Sequence, residues 1–120
     1  MRNFRKYQVW ELGHQITLDV YKLTTNFPKD EQYGLTSQMR RASSSVPANI
    51  AEGCERESEA EFKRFLVIAS GSATELEYFL ILVKDLNFIS EENINELVGK
   101  VDQLKRSLNK LISKINATNK

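Results

Sequence analysis

The sequence predicts an all-α protein, an antiparallel up-down-up-down four-helix bundle that forms a single domain over residues 1–120. Apolar residues recur at helical spacing in four segments, and no segment alternates apolar and polar residues as a half-buried strand does. The breaks between the four segments are short, which makes consecutive helices antiparallel neighbours. A chain of 120 residues can bury one core without a disulfide.

The first predicted helix has apolar residues three and four positions apart, and it ends before Pro28. The members of this stripe are Val9, Leu12, Ile16, Val20, Leu23 and Phe27. Residues 26–30 form the first predicted turn.

The second predicted helix, residues 35–52, keeps its apolar phase across Pro47. The stripe consists of Leu35, Met39, Ala42, Val46 and Ile50. A proline inside a helix removes one backbone donor and crowds the carbonyl four residues earlier, so we predict one kinked helix. The hydroxyls of the serines at 43–45 are expected to bond the freed carbonyls. Gly53 is predicted to end the helix in the left-handed conformation.

The third and fourth helices have recognisable starts. Ser58 and Glu61 form a capping box before a helix that is predicted to run to about Leu86. Ser90, followed by two glutamates, marks the start of the fourth helix. The fourth helix carries a heptad seam of Ile94, Leu97, Val101, Leu104, Leu108, Leu111 and Ile115, which is typical of bundle packing. Residues 117–120 are expected to fray.

The third helix is apolar on two sides. The core stripe consists of Phe62, Phe65, Ala69, Ala73, Leu76, Leu80 and Val83. The second stripe consists of Val67, Gly71, Thr74, Tyr78 and Ile81. Because a four-helix monomer cannot cover both sides, the second stripe is predicted to be the interface of a homo-oligomer.

The composition limits the cellular location and the kinds of partner that are expected. The single cysteine, Cys54, excludes an internal disulfide and a cysteine-based zinc site. With no signal-like amino terminus, the expected location is the cytoplasm. The longest apolar run, residues 79–83, is far shorter than the roughly 20 residues of a membrane span, so no membrane contact is expected.

Positive charge is concentrated near the carboxyl end, although the whole chain has 17 basic and 16 acidic residues. Lys105, Arg106, Lys110 and Lys114 lie along the predicted fourth helix, and a row of cations at this spacing can follow a phosphate backbone. They are the predicted RNA-binding or DNA-binding residues. The alternative is a solvated face near a helix C-terminus, which favours cations.

No pattern indicates an enzyme, and no catalytic residue, cofactor or metal is predicted. Glu11 and His14 form the E-x-x-H pair of di-iron bundles, but such a site needs two pairs, and the chain has one histidine. Only a site shared across a symmetric dimer would supply the second pair. Cys54 could be exposed beyond Gly53, but without a basic neighbour other than Arg56 it is predicted to be a spectator thiol.

A polar network between the second and third helices is predicted from charged residues beside their stripes. Its members are Arg41, Asn49, Glu52 and Glu75. Buried charges persist only when they are paired, so Glu75 is expected to pair with Arg40 or Arg41 and fix the register of the helices. A ligand site is the alternative.

Four motifs together carry a family resemblance. They are VW at residues 9–10, LTSQMRRASSSVPANIAEG at 35–53, IASGSATELE at 68–77, and the heptad fourth helix. On these motifs the chain resembles the bacterial four-helix-bundle family of 23S rRNA intervening-sequence proteins, which includes the accessory variability proteins of diversity-generating retroelements. The resemblance implies a pentameric barrel of up-and-down bundles, not an enzyme, with RNA, DNA, a reverse transcriptase or another protein as partner. The near-zero net charge departs from the strongly basic retroelement relatives.

Three functional hypotheses follow. The first is a non-enzymatic homo-oligomeric scaffold, a pentamer, that binds RNA or DNA through the basic stripe. The second is a protein-protein interaction module with no nucleic-acid role. The third, which rests on Glu11 and His14 alone, is a metal-dependent oxidase.

Overall fold

The computed structural model describes residues 2–118 as four α-helices in a bundle that measures 47 × 22 × 19 Å. The helices are α1 (Gln8–Thr24), α2 (Ser37–Cys54), α3 (Glu59–Asp85) and α4 (Glu91–Thr118). A 3-10 turn (Phe4–Lys6) precedes α1, and a 3-10 turn (Lys29–Glu31) and a π turn (Gln32–Thr36) precede α2. Each helix packs against the next one in the chain, and α4 returns to α1. The predicted all-α four-helix fold is confirmed.

The core is formed by the predicted apolar stripes together with Leu66 and Phe79 of α3, which the prediction did not include. The side chains with less than 2% exposure come from all four helices and include Ile16, Val20, Met39, Val46, Ile50, Leu66, Leu76, Leu80, Ile94, Leu104 and Leu108. Burial of one such side chain stabilises the fold by about 1.5–3 kcal/mol. The stripes therefore account for most of the packing between helices.

Both predicted serine caps are confirmed, but the second half of the capping box is not: the Glu61 carboxylate lies 3.9 Å from the Arg64 guanidinium, and no bond from the Ser58 amide to it is found among residues 2–118. The Ser58 Oγ accepts a hydrogen bond from the Glu61 amide at 3.1 Å, and the Ser90 Oγ accepts one from the Asn93 amide at 3.4 Å. Of the residues predicted to fray, 117 and 118 are helical, while 119 and 120 lie outside the described residues.

Pro47 lies inside α2, and the carbonyl that it frees is satisfied from another helix. The Thr17 Oγ donates to the Ser43 carbonyl oxygen at 3.0 Å as well as to the Gly13 carbonyl oxygen at 2.8 Å. The Ser43 and Ser44 hydroxyls bond the Arg40 carbonyl instead. The predicted role of the serines is therefore taken largely by Thr17. The non-helical backbone lies at Gly34 (φ −109°, ψ −109°), within the turn that leads into α2.

The prediction for Gly53 is wrong. The helix continues to Cys54, and no glycine within residues 2–118 has a positive φ. A Cβ atom on Gly53 would lie 2.7 Å from the Cβ of Phe65 and 3.3 Å from the Cδ1 of Phe62. Gly53 therefore allows α3 to approach the end of α2 closely, and its backbone conformation needs no glycine.

A matched pair of glycine substitutions tests this role. Gly53→Ala is expected to lower the free energy of unfolding by about 1–3 kcal/mol, because the added methyl group overpacks the contact with Phe65. Gly99→Ala is expected to raise it by about 0.5–1 kcal/mol, since a Cβ there meets nothing within 4 Å and alanine favours the helix. Urea unfolding of both variants measures the difference. Equal stabilisation by the two substitutions would contradict the close approach.

Among the described residues, α3 is the helix long and apolar enough to cross a membrane by length and composition. The core helix of a soluble bundle meets the same criterion. Here α3 packs along both α2 and α4, with Leu66, Leu76 and Leu80 fully buried between its neighbours. Its apolar character is therefore explained in part by the core and in part by the uncovered face described below.

Candidate interaction surfaces

The second apolar stripe of α3 is left uncovered by the other residues that the structure describes. We define the α3 outer face as Val67, Gly71, Thr74, Tyr78 and Ile81, all of which are exposed. The three large side chains, Val67, Tyr78 and Ile81, are 50%, 56% and 53% exposed. A Cβ on Gly71 would meet nothing within 4 Å, so the middle of this face is open.

The α3 outer face has the composition of a contact surface. Its members recur at steps of four, three, four and three, so they form one continuous line along the helix. Monomeric proteins rarely leave a large contiguous apolar surface in water, and such a surface usually marks an interaction site. The predicted interface residues therefore lie together on one face, available to a partner.

A second surface with exposed apolar side chains lies on α1, and sequence reasoning missed it. We define the α1 outer face as Trp10, His14, Leu18 and Tyr21, which recur at steps of four, four and three. Leu18 and Tyr21 are 49% and 45% exposed. The signal was available in this spacing, but the stronger core stripe of the first helix obscured it.

Aromatic and cationic contacts order the α1 outer face. The imidazole of His14 stacks on the Trp10 indole, with 5.2 Å between ring centroids and 9° between planes. The Arg40 guanidinium lies 4.6 Å above the Tyr21 ring, and its Nε donates to the Thr24 Oγ at 2.9 Å. Trp10 and His14 are half-buried, whereas Leu18 and Tyr21 remain exposed.

The E-x-x-H pair takes part in local contacts on this same helix. The Glu11 carboxylate accepts a hydrogen bond from the Gln15 amide at 3.2 Å, while His14 stacks on Trp10. Within residues 2–118 no three histidine, cysteine or carboxylate side chains lie close enough together to hold a metal ion. The oxidase hypothesis, which requires a second copy of the chain, stays a hypothesis.

The predicted basic stripe on α4 is partly neutralised. Lys105 is half-buried, and its Nζ lies 3.1 Å from the Glu77 carboxylate, so this pair ties α4 to α3. The Arg106 guanidinium pairs with Asp102 at 3.0 Å. Lys110 and Lys114 are exposed, and no ion pair to them is found in the part of the chain that is described. Two of the four predicted residues are therefore free to meet an anionic partner.

The predicted buried network is not formed within the chain. Arg41 and Glu75 are both exposed, and no ion pair joins them among residues 2–118. Glu52 is also exposed and pairs with Arg56 at 3.0 Å on the surface of α2. The physical reason is that exposed charges keep their hydration, whereas burial would require close to ideal pairing.

Neutral groups make the polar link between α2 and α3. The Asn49 Nδ2 donates to the Ser45 carbonyl oxygen at 2.7 Å and to its hydroxyl at 2.9 Å. The Ser72 hydroxyl donates to the Ser45 Oγ at 2.9 Å across the helix pair. Of the four predicted members, only Asn49 joins this cluster, through hydrogen bonds to Ser45 within α2.

Cys54 is buried, contrary to the possibility that it is exposed. It lies in the core with no exposed surface. Burial raises the pKa of the thiol, and the nearby Glu55 raises it further, while the Arg2 guanidinium opposes the change. A buried thiol with a raised pKa is a poor nucleophile, so the interpretation as a spectator agrees with this geometry.

The raised pKa predicts a loss of stability at alkaline pH. A thiol whose pKa is higher in the folded than in the unfolded chain stabilises the fold below the unfolded value of about 8.5, and this contribution disappears as the pH rises through the folded value. We expect the free energy of unfolding to fall as the pH is raised from 8 towards 10. The decline should be shallower in Cys54→Ala, as measured by urea unfolding at each pH. An identical decline in the two proteins would contradict the assignment to Cys54.

An open groove of about 510 Å³ lies between α1 and α4 near the α3–α4 turn. Its polar lining consists of Asp19, Lys22, Asn26, Ser90, Asn93, Glu96 and Lys100. The Lys100 ammonium donates to the Asp19 carboxylate at 2.8 Å, and this hydrogen bond raises the pKa of Lys100. The pair joins the two helices across the groove.

The sequence and the fold have counterparts among known proteins. A family model described as 23S rRNA-intervening sequence protein matches residues 5–110. The chain is similar to a crystal structure of a protein with unknown function from the S23 ribosomal protein family of Bacteroides thetaiotaomicron. The two share 25% identity and a TM-score of 0.78, over 87% of this chain and 97% of the other. A search of curated proteins finds no significant match.

Proposed function

The chain belongs to the family of 23S rRNA-intervening sequence proteins, and within that family we propose that it acts as a non-enzymatic, homo-oligomeric four-helix-bundle scaffold. The observation that carries this proposal is the α3 outer face. Its large side chains are about half exposed, whereas the opposite side of the helix is packed into the core. A second copy of the chain would remove this surface from water.

The size of the α3 outer face suits a specific contact. It extends over residues 67–81, which at 1.5 Å per residue is about 21 Å of helix. Complete burial of each of its three large side chains would contribute about 1.5–3 kcal/mol, less the fraction that the chain already buries. Gly71 and Thr74 in the middle leave room for side chains of a partner. The proposed stoichiometry of five copies rests on the family resemblance.

Sedimentation velocity of the unmodified chain tests the proposal. We expect a species with a mass that is a multiple of 13.8 kDa, and five times that value for the pentamer. Dilution should dissociate the oligomer reversibly, because its copies are held together by noncovalent contacts. A mass of 13.8 kDa at the highest concentration reached would contradict self-association.

Nucleic-acid binding is the second candidate function. The observation in its favour is the exposed row of Arg106, Lys110 and Lys114, which an oligomer would repeat around its surface. The pairing of Arg106 with Asp102 reduces the charge of that row. The competing hypothesis is an interaction module for another protein, with no nucleic-acid role.

The salt dependence of binding separates these candidates. If Lys110 and Lys114 contact phosphates, the double change K110Q/K114Q should reduce the slope of log K against log salt for single-stranded RNA by about 1.4. Lys29→Gln, an exposed lysine in the turn before α2, is the matched control and should leave the slope unchanged. Absence of binding at low salt would exclude the nucleic-acid role and leave the interaction module.

A further inference from the structure

The amino-terminal segment, residues 2–7, is attached to the last three helices through side chains. Its own backbone hydrogen bonds close within it: the Lys6 amide donates to the Asn3 carbonyl oxygen at 3.0 Å, and the Tyr7 amide donates to the Phe4 carbonyl oxygen at 3.0 Å. Among residues 2–118, no backbone-to-backbone hydrogen bond joins this segment to α2, α3 or α4. The segment can therefore separate from these helices without breaking backbone hydrogen bonds to them.

Arg2 makes the contacts that hold the amino-terminal segment against the bundle. Its Nη1 donates to the Arg56 carbonyl oxygen at 2.7 Å, and its Nη2 pairs with the Glu59 carboxylate. The guanidinium also lies 4.3 Å from the centre of the Phe62 ring, and the Tyr7 ring packs against the edge of the same ring. Two side chains of the segment therefore fix it to the end of α2 and the start of α3.

The amino-terminal segment covers the core at this end of the bundle. Phe62 is 2% exposed, and Cys54 has no exposed surface. Burial raises the pKa of both the Tyr7 phenol and the Cys54 thiol, whereas the charge of the Arg2 guanidinium lowers both pKa values. The thiol therefore lies close to the two side chains that hold the segment in place.

The packing between the amino-terminal segment and α4 is incomplete. A cleft of about 210 Å³ lies between the segment and the last turns of α4. Leu111 and Ile115 line the cleft from α4, and Arg2 and Tyr7 line it from the segment. Parts of a fold that make few buried apolar contacts open more easily than the core does. The unfilled cleft therefore favours movement of the segment.

We propose that the amino-terminal segment opens as a unit while the four helices stay folded, and that its opening uncovers the end of the bundle around Phe62 and Cys54. The closed state protects the thiol and the apolar ring, and the open state presents both to solvent. Such an opening costs less free energy than unfolding of the whole chain, because only side-chain contacts are lost. The inference does not depend on the proposed self-association, since every contact that carries it lies within one copy.

Labelling of Cys54 with the disulfide reagent dithiobis(nitrobenzoate) measures the opening. The Cys54 thiolate attacks one sulfur of the reagent, the disulfide of the reagent breaks, and a mixed disulfide forms as one coloured nitrothiobenzoate anion leaves. In the unmodified chain the labelling rate is expected to change little at low urea concentrations, because opening of a short segment exposes little surface. Labelling that rises with urea as steeply as global unfolding would overturn the inference.

Arg2→Ala is expected to raise the labelling rate by roughly tenfold or more, with the same weak dependence on urea, since it removes a hydrogen bond, an ion pair and a cation–π contact. Loss of the Arg2 charge raises the pKa of the thiol and would by itself slow labelling, so a faster rate reports opening. Circular dichroism checks that the variant is folded.

Arg5→Ala is the matched control. Arg5 belongs to the same segment, is exposed, and lies 4.5 Å from the centre of the Phe4 ring, so its removal is expected to leave the labelling rate unchanged. An unchanged rate in Arg2→Ala, or equal acceleration by the two substitutions, would show that the Arg2 contacts do not hold the segment closed and would overturn the inference.

Discussion

Replacement of Val67 and Tyr78 by glutamate is expected to convert the assembled protein into a monomer with unchanged helix content. Both side chains are about half exposed in the single chain, so the change leaves the core intact. Because each side chain is already about half buried in the single chain, assembly gains only about 0.75–1.5 kcal/mol from each, and loss of both corresponds to roughly 10–150-fold weaker association. Burial of the new carboxylates would weaken it further.

Val98→Glu is the matched control for this prediction. Val98 is an exposed apolar residue on α4, outside both outer faces, and its replacement is expected to leave the mass of the assembly unchanged. Sedimentation velocity measures all three proteins at the same concentrations. If V67E/Y78E retains the mass of the unmodified protein, the α3 outer face does not hold the assembly together.

Phe62→Ala is expected to lower the free energy of unfolding by about 3–5 kcal/mol. Phe62 is 2% exposed and lies where the amino-terminal segment crosses the end of the bundle. The Arg2 guanidinium lies 4.3 Å above its ring, and the Tyr7 ring packs against its edge at 5.7 Å between centroids. Its removal would leave a cavity beneath the segment and beside Gly53.

Urea unfolding measures this loss, with Tyr33→Ala as control. Tyr33 is 90% exposed, so its removal is expected to change the stability by less than about 0.5 kcal/mol. Trypsin is also expected to cleave after Arg5 and Lys6 faster in Phe62→Ala, because the segment loses its anchor. A loss of stability as small as that of Tyr33→Ala would show that this end of the bundle is not well packed.

The helices were predictable because each buries a stripe of repeating period. The stripe of α4 remains in phase for its whole length, and Leu104 and Leu108 are fully buried, as the seam predicts. The start of α3 was equally clear, since Ser58 and Glu61 lie at the spacing of a cap. Spacing along one helix is sufficient to predict a stripe or a cap, because the residues that form it lie about one turn apart.

Features that depend on another helix were not predictable in the same way. The carbonyl freed by Pro47 is satisfied by Thr17, which is 26 residues away from Ser43. Gly53 is needed because Phe65 approaches it, and the same residue at a helix end is commonly a cap. In both cases the residue type signals an unusual local requirement, but the sequence does not identify the residue on the other helix that is involved.

The surface residues show the same difference between features that one helix determines and features that depend on a neighbouring helix. The α3 outer face was predicted, because a helix with two apolar stripes must leave one uncovered when only one faces the core. The network of Arg41, Glu52 and Glu75 was placed inside wrongly, since a residue beside a stripe can turn either towards the neighbouring helix or towards water. Lys105 was assigned to a phosphate contact, but Glu77 on the adjacent helix already pairs with it.

Hydroxyl-radical footprinting of the unmodified protein tests the central claim most directly, because it reports the exposure of individual side chains. The account predicts that Tyr78 is protected at high concentration and becomes oxidised on dilution, while Tyr33 reacts equally at both concentrations. In the single chain Tyr78 is 56% exposed and Tyr33 is 90% exposed, so both are open to the reagent before assembly. Oxidation of Tyr78 that is independent of concentration and in keeping with that exposure would contradict the claim that a second copy covers the α3 outer face.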